Sequence, residues 1–325
     1  MYGIAISALR NSNNNQSINT IMTIKTTILT VSLAACGLFT ACKSAETTEQ
    51  ALPEKDMSLQ LYSIREVIGD SAKYAENHEA TLKALADMGY KTVETANYIN
   101  RKFYGVTPEQ FKADCEAAGL TALSSHATRV LTPEEITNHD FTEAMKWWDD
   151  AIADHKAAGM TYIVTPWSSM PNNIEEAQTL CDYHNAIGEK CNEAGLKYGY
   201  HTHSMEFDKI PGTDTVWMEY LVENTKPENM FWQLDTYLAV KAGASPVEYI
   251  KKYPGRIVML HVKDKYELGQ SGMINLEPIF LAAGENGLKD YVVEQEGTDG
   301  SHTIMEGVAM DADYLRKADY VKAEY

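Results

Sequence analysis

Between residues 58 and 321 the chain alternates short strand-like runs with longer helical ones, and no other feature narrows its fold as far. The strand-like runs are 58–63, 92–95, 121–126, 161–165, the stretch opening at Lys197, 231–235, 257–262 and 291–294. Between and after them, apolar residues at helical spacing predict helices over 72–88, 107–119, 141–158, 174–194, 216–224, 246–253, 275–283 and 304–321. Gly89, Gly119, Gly159 and Gly195 stand where the first four helices should stop. Strand starts recur every roughly 30–40 residues, the length of one βα unit. Strands joined through helices pair in parallel. Eight such units in 325 residues favour a single closed (β/α)8 TIM barrel over an open doubly wound sheet. The rival is further weakened because no GxGxxG turn follows the first strand. No linker-like break interrupts residues 57–325, so they are expected to form one domain.

The N-terminal part follows other rules. Residues 1–21 are polar and Asn-rich, and Met22 is the better start. From there Lys25, an apolar run and small residues make up a secretory signal, too short for a convincing membrane span. It resembles a bacterial lipoprotein signal, in which a cysteine after small residues receives the lipid. Residues 1–42 are then the signal, Cys42 the lipidation site (with Cys36 as the alternative), and 43–56 a polar tether. The expected place is the periplasm or cell surface of a Gram-negative bacterium, with the lipid anchor as the only membrane contact. A net charge of −18 argues against nucleic acid as a partner. Homo-oligomerisation stays open. The remaining cysteines, Cys115, Cys181 and Cys191, show no CxxC spacing and read as small core residues.

Four successive late strands carry residues fit to bind a metal. The fifth strand-like stretch reads KYGYHTHSMEF, and alternation puts Gly199, His201 and His203 on one face. The next three runs end in Asp235, His261 and Glu294. Carboxylates at the end of an apolar barrel core are costly without a cation, although a buried ion-pair cluster would also use them. Two imidazoles and two carboxylates suit Mn²⁺, Co²⁺, Zn²⁺ or Fe²⁺ better than Ca²⁺, with Mg²⁺ a further candidate. His201 is preferred as the ligand, with His203 as its rival for that place and first choice as catalytic base. Lys263 could steady an oxyanion or pair with Glu94 or Glu296, and His126 is a candidate polar contact or base. Glu206 could orient a histidine or be a plain loop carboxylate. Glu94, Trp167 and Tyr237 are candidate substrate contacts, although aromatic residues there also pack. His78, His139, His155 and His184 fall on helices or loops and are expected to face solvent.

Taken together, LQLYSIRE, GYKTVE, AGLKYGYHTHSMEF, QLDTYLAVKAG and IVMLHVKD resemble the xylose isomerase-like TIM barrels, often called sugar phosphate isomerase/epimerases. The resemblance covers about residues 57–296. It implies a divalent metal held at the ends of strands five to eight, with Asp235, His261 and Glu294 matching the last three ligands. At strand five many members use a glutamate where this chain has His201, which removes one base of a two-glutamate proton transfer. The implied activity is isomerisation or epimerisation of a small sugar through an enediolate, with Glu294 as an alternative metal-bound base. Export points away from sugar phosphates and toward a non-phosphorylated keto-sugar. The alternatives are a lyase or hydratase on 3-keto-glycosides and a sugar-binding lipoprotein without catalysis.

Overall fold

The structure, a computed structural model, describes residues 54–325. The signal, Cys36, Cys42 and the tether as far as residue 53 lie outside the described residues. Eight parallel strands form the centre: β1 (Met57–Gln60), β2 (Tyr90–Thr95), β3 (Thr121–Ser125), β4 (Tyr162–Thr165), β5 (Lys197–His201), β6 (Phe231–Asp235), β7 (Met259–Val262) and β8 (Asp290–Val293). Their order in the sheet is β3-β2-β1-β8-β7-β6-β5-β4. The two outer strands meet through a parallel bridge between His126 and Val164. Ala127 N donates to Val164 O at 3.0 Å and Thr161 N to Leu123 O at 2.9 Å across the same seam. The expected TIM barrel is therefore the observed one.

A helix follows each strand: α1 (Ser71–Asp87), α2 (Pro108–Ala118), α3 (Thr142–Ala157), α4 (Ile174–Ala194), α5 (Trp217–Asn224), α6 (Pro246–Lys252), α7 (Leu276–Glu285) and α8 (Ile304–Lys317). Their ends have local causes. The Thr107 hydroxyl accepts from Gln110 N and Pro108 opens α2, while Gly119 closes it at φ 83°, a conformation that favours glycine. Strand β1 stops earlier than expected because the Gln60 side chain accepts from Tyr62 N at 3.1 Å and starts a 3-10 turn over Leu61–Ile64. Helix α8 ends at Lys317, four residues short of the expected end, where Ala318 turns extended. Three short helices, Arg65–Ile68, Pro133–Asn138 and Thr236–Lys241, and a hairpin of Tyr98–Ile99 with Lys102–Phe103 are added to the simple alternation.

Alternation along the strands splits the core in two. On β6, Trp232 and Leu234 face the helices, whereas Phe231 joins Tyr162, Val164, Met259 and Val292 inside the barrel. Gly199 makes room for this inner layer: a Cβ there would lie 2.4 Å from the Phe231 ring. Cys115, Cys181 and Cys191 are buried as core residues and unpaired among the described residues.

Two histidines depart from expectation. His155 and His184 are buried, not solvent-facing. His155 Nδ1 lies 2.6 Å from Ala151 O, and its ring packs 4.8 Å from Tyr98 and 5.0 Å from Phe103. His184 Nδ1 meets the Tyr198 hydroxyl at 2.6 Å. With one nitrogen satisfied internally, each ring packs as an aromatic side chain would. Burial lowers their pKa values, to about 4 for His155 and about 3 for His184.

Candidate metal centre

Residues two apart on a strand share a face, so the strands that carry the inner apolar layer carry polar residues above it. Phe231 is followed on its face by Gln233 and Asp235, Met259 by His261, and Val292 by Glu294. Asp235, His261 and Glu294 converge: Asp235 Oδ2 lies 3.6 Å and Glu294 Oε2 3.5 Å from His261 Nδ1. All three are buried, and their ligand atoms lie within 4.8 Å of one another. Asp235 Oδ1 accepts from Leu238 N at 2.6 Å and caps the short helix after β6. Among the described residues Asp235 Oδ2 and His261 Nδ1 have no hydrogen-bond partner. A buried polar atom left in that state costs about 1–3 kcal/mol. One divalent cation between them would satisfy both, and the nitrogen-oxygen donor set fits Mn²⁺, Co²⁺, Zn²⁺ or Mg²⁺.

Beneath this cluster lies an amide and carboxylate layer. Glu94 accepts from Gln60 Nε2 at 2.8 Å, Ser124 Oγ at 2.6 Å and Gln233 Nε2 at 2.9 Å. Its Oε1 is 3.0 Å from His126 Nε2 and 3.2 Å from His261 Nε2. Burial works to raise the Glu94 carboxyl, but the two imidazoles outweigh it and hold the group well below the usual carboxylate range. A carboxylate accepting from His261 Nε2–H leaves Nδ1 turned toward Asp235 and Glu294, the tautomer a metal ligand needs. Burial likewise opposes charge on His261, yet Glu294, Asp235 and Glu94 carry it up to about 10. The field that holds that proton would equally hold a cation.

The other expected residues take distinct places. His201 does not complete a fourfold set with Asp235, His261 and Glu294; it groups with His126 and His261 in a second triple. The reason is Gln233, whose Oε1 lies 3.0 Å from His201 Nδ1. Burial, then the neighbouring His261 and His126, pushes the His201 pKa well down. His203 lies just beyond β5, half-buried, with its ring 4.9 Å from that of His201. Burial lowers its pKa against the pull of Asp235. Glu206 is buried and accepts from His203 N at 2.8 Å and the Tyr200 hydroxyl at 3.1 Å, so it holds the histidine's backbone.

A cavity of about 440 Å³ opens over the cluster, with His126, His201, His203, Glu294 and Glu296 among its walls. Trp167 lines it too, half exposed. Three expectations need correction. Glu94 does not reach the cavity, because its oxygens are engaged within the barrel. Tyr237 packs against the outer core instead of lining the cavity. For Lys263 the salt-bridge alternative holds and the oxyanion one does not: its ammonium pairs with Glu296 at 2.6 Å, as expected, and with Glu294 at 2.8 Å in place of Glu94, and is almost wholly buried. Burial acts against its charge, but Glu294, Asp235 and Glu296 prevail and raise its pKa. Sequence reasoning overlooked Gln60 and Gln233. Their signal was positional, since Gln233 shares the inward face of β6 with Asp235.

Residues 82–318 match a family model described as xylose isomerase-like TIM barrel. The crystal structure of a sugar phosphate isomerase/epimerase from Parabacteroides distasonis ATCC 8503 superposes with a TM-score of 0.75 at 32% identity, over 84% of this chain and 99% of that one. An inosose dehydratase of Bacillus cereus (strain AH820) is 31% identical over 249 residues, 74% of this chain and 80% of its own length. A crystal structure of IOLI protein with a binding zinc atom matches at 14% identity and a TM-score of 0.60, over 83% of this chain and 99% of that one, a likeness of fold.

Proposed function

The chain belongs to the xylose isomerase-like TIM barrel family, and from that premise we propose a divalent-metal-dependent isomerase or epimerase acting on a non-phosphorylated keto-sugar through an enediolate. The observation that carries this reading is the pair of buried, unpartnered atoms Asp235 Oδ2 and His261 Nδ1, set against Glu294 below the cavity. Bound there, a divalent cation supplies Lewis acidity to a ketone oxygen and the neighbouring hydroxyl. Asp235, His261 and Glu294 hold it, with His201 beside them. His203, kept neutral by burial and steadied by Glu206, takes the proton from the carbon next to the ketone. Lys263 balances the charge of Glu294 and Glu296. His126 offers the sugar a polar wall and Trp167 a flat apolar one. Returning the proton to the opposite face gives an epimer; returning it to the adjacent carbon gives an isomer.

Electrostatics favours an uncharged substrate. Among the described residues no lysine or arginine lines the cavity, whereas Glu294 and Glu296 do. A phosphate would meet the repulsion of those carboxylates and no lysine or arginine on the wall itself. The export signal expected in residues 1–42 supports the same reading.

One observation favours a second outcome, elimination of an oxygen β to the ketone. Both carboxylates on the cavity wall are tied to Lys263, which leaves His203 as a base on one side only. Epimerisation needs a proton relay on both faces, whereas elimination needs one base and a departing group. The dehydratase relative agrees with it.

Metal analysis and turnover in deuterated water decide. The purified protein is incubated with a free ketose and with a 3-keto-glucoside. A deuterated epimer or isomer supports the first reading, and an unsaturated product the second. Absence of solvent deuterium from substrate and product alike, with no unsaturated product formed, would sink both.

A further inference from the structure

Seven large apolar side chains stand exposed among the described residues, and three of them, Tyr62, Ile99 and Trp167, line the cavity over the metal cluster. Their exposures are 44%, 62% and 51%. Single exposed apolar residues are ordinary on any surface, but three gathered on one opening mark a binding face.

Each of the three is also held in place. Ile99 ends one arm of the hairpin, whose turn residues Asn100 and Arg101 have φ of 53° and 63°. Neither is glycine, and the left-handed conformation costs an ordinary residue about 1–2 kcal/mol. Asp154 on α3 offsets that cost, accepting from Arg101 Nε at 3.0 Å, Arg101 Nη2 at 2.9 Å and the Tyr98 hydroxyl at 2.7 Å. An Asn-Gly turn would close the hairpin without strain, and a polar residue at position 99 would suit water better. The fold instead fixes an aliphatic side chain at the cavity mouth. The Arg65 guanidinium lies 4.3 Å from the Tyr62 ring centre, pinned by the carbonyls of Tyr62 and Glu296 at 2.9 Å each. The Trp167 carbonyl accepts from the Thr128 hydroxyl at 3.2 Å.

Building on the keto-sugar reading above, we propose that this rim binds a planar apolar aglycone, so that the substrate is a glycoside with an aromatic substituent, its sugar ring lying below. Aromatic and aliphatic rim residues stabilise an aryl group by burial and ring contact. A second sugar would need hydrogen-bond partners for its hydroxyls. Two polar side chains at this level are already engaged, Thr128 with Trp167 O and one Glu296 oxygen with Lys263.

The test is equilibrium binding to the purified protein, by calorimetry, of phenyl β-glucoside, methyl β-glucoside and cellobiose, none of which requires turnover. Phenyl β-glucoside should bind at least about ten-fold more tightly than the other two. Trp167→Ala should shrink that advantage below about three-fold, and Ile99→Ser, at an exposed position that folding does not need, should shrink it in part. Equal affinities, no measurable binding of the phenyl glucoside, an advantage that survives Trp167→Ala, or tighter binding of cellobiose would each overturn the proposal. Failure of the keto-sugar chemistry would instead appear as absent turnover with the aryl preference intact.

Discussion

The lower and upper halves of the barrel interior are made by the same strands and contrast in almost every physical respect. Below, Tyr162, Val164, Phe231, Met259 and Val292 close into an apolar layer. Above, Glu94, Asp235, His261 and Glu294 are just as buried but carry ionisable groups. A single strand spans both regimes: Phe231 and Asp235 point inward from β6 four residues apart. The lower layer gains stability by removing apolar surface from water. The upper layer spends stability, since buried charge is favourable only when fully compensated. Two of its atoms find no compensating partner among the described residues. The contrast teaches where to look for function in such a barrel: at the level where burial stops being explained by packing.

The largest effect that would test this division is at the upper layer. The double variant Asp235→Ala, His261→Ala should lose bound metal entirely and lower turnover by at least about 10³-fold. Full metal stoichiometry in that variant, measured by elemental analysis, would reduce the cluster to an ion-pair network. Next comes the lower layer. Phe231→Ala should cost about 3–5 kcal/mol in urea unfolding while the metal content of the folded protein is kept. A loss of metal at unchanged stability would break the division.

Smaller effects sharpen it. Glu94 touches His261 and His126 from below and does not itself line the cavity, so Glu94→Gln should weaken metal affinity by about 10–100-fold in a titration, with the fold retained. An affinity equal to wild type would show that His261 needs no fixed tautomer. The outer layer supplies the control by pH. His155 and His184 have pKa values lowered from 6.5 in the fold, so the unfolded chain binds the proton more strongly. Stability is then complete above about pH 6.5 and falls as pH drops toward the folded values, by about 2 kcal/mol per histidine at pH 5. His184→Phe should flatten that dependence; an unchanged slope would mean the ring is not buried neutral.

Much of this arrangement was legible beforehand, for reasons that are local. Strand and helix periods in turn, with glycine after the helices, are properties of neighbouring residues, and they yielded the barrel. Asp235, His261 and Glu294 stood out because each closes an apolar run. What could not be read depends on residues brought together from afar. Gln233 and Glu94 are 139 positions apart in the chain yet share a hydrogen bond, and an amide on a strand carries no chemical signal by itself. That Lys263 pairs with Glu294 as well as with the expected Glu296 likewise appears only once β7 and β8 lie side by side. His155 and His184 are a different case. His184 shares a helical stripe with Leu180, Ile187 and Cys191, so spacing placed it inside, and the polarity of imidazole argued wrongly against the spacing.

His126 has two employments: its backbone forms the bridge to Val164 where the sheet joins itself, and its ring walls the cavity. Whatever settles against that ring therefore also clamps the join. Amide protons at Ala127 and Thr161, which cross it, should trade with solvent more slowly when the cavity is filled, while those between β7 and β8 keep their pace. The seam thus doubles as a built-in gauge of occupancy, readable without any knowledge of the reaction.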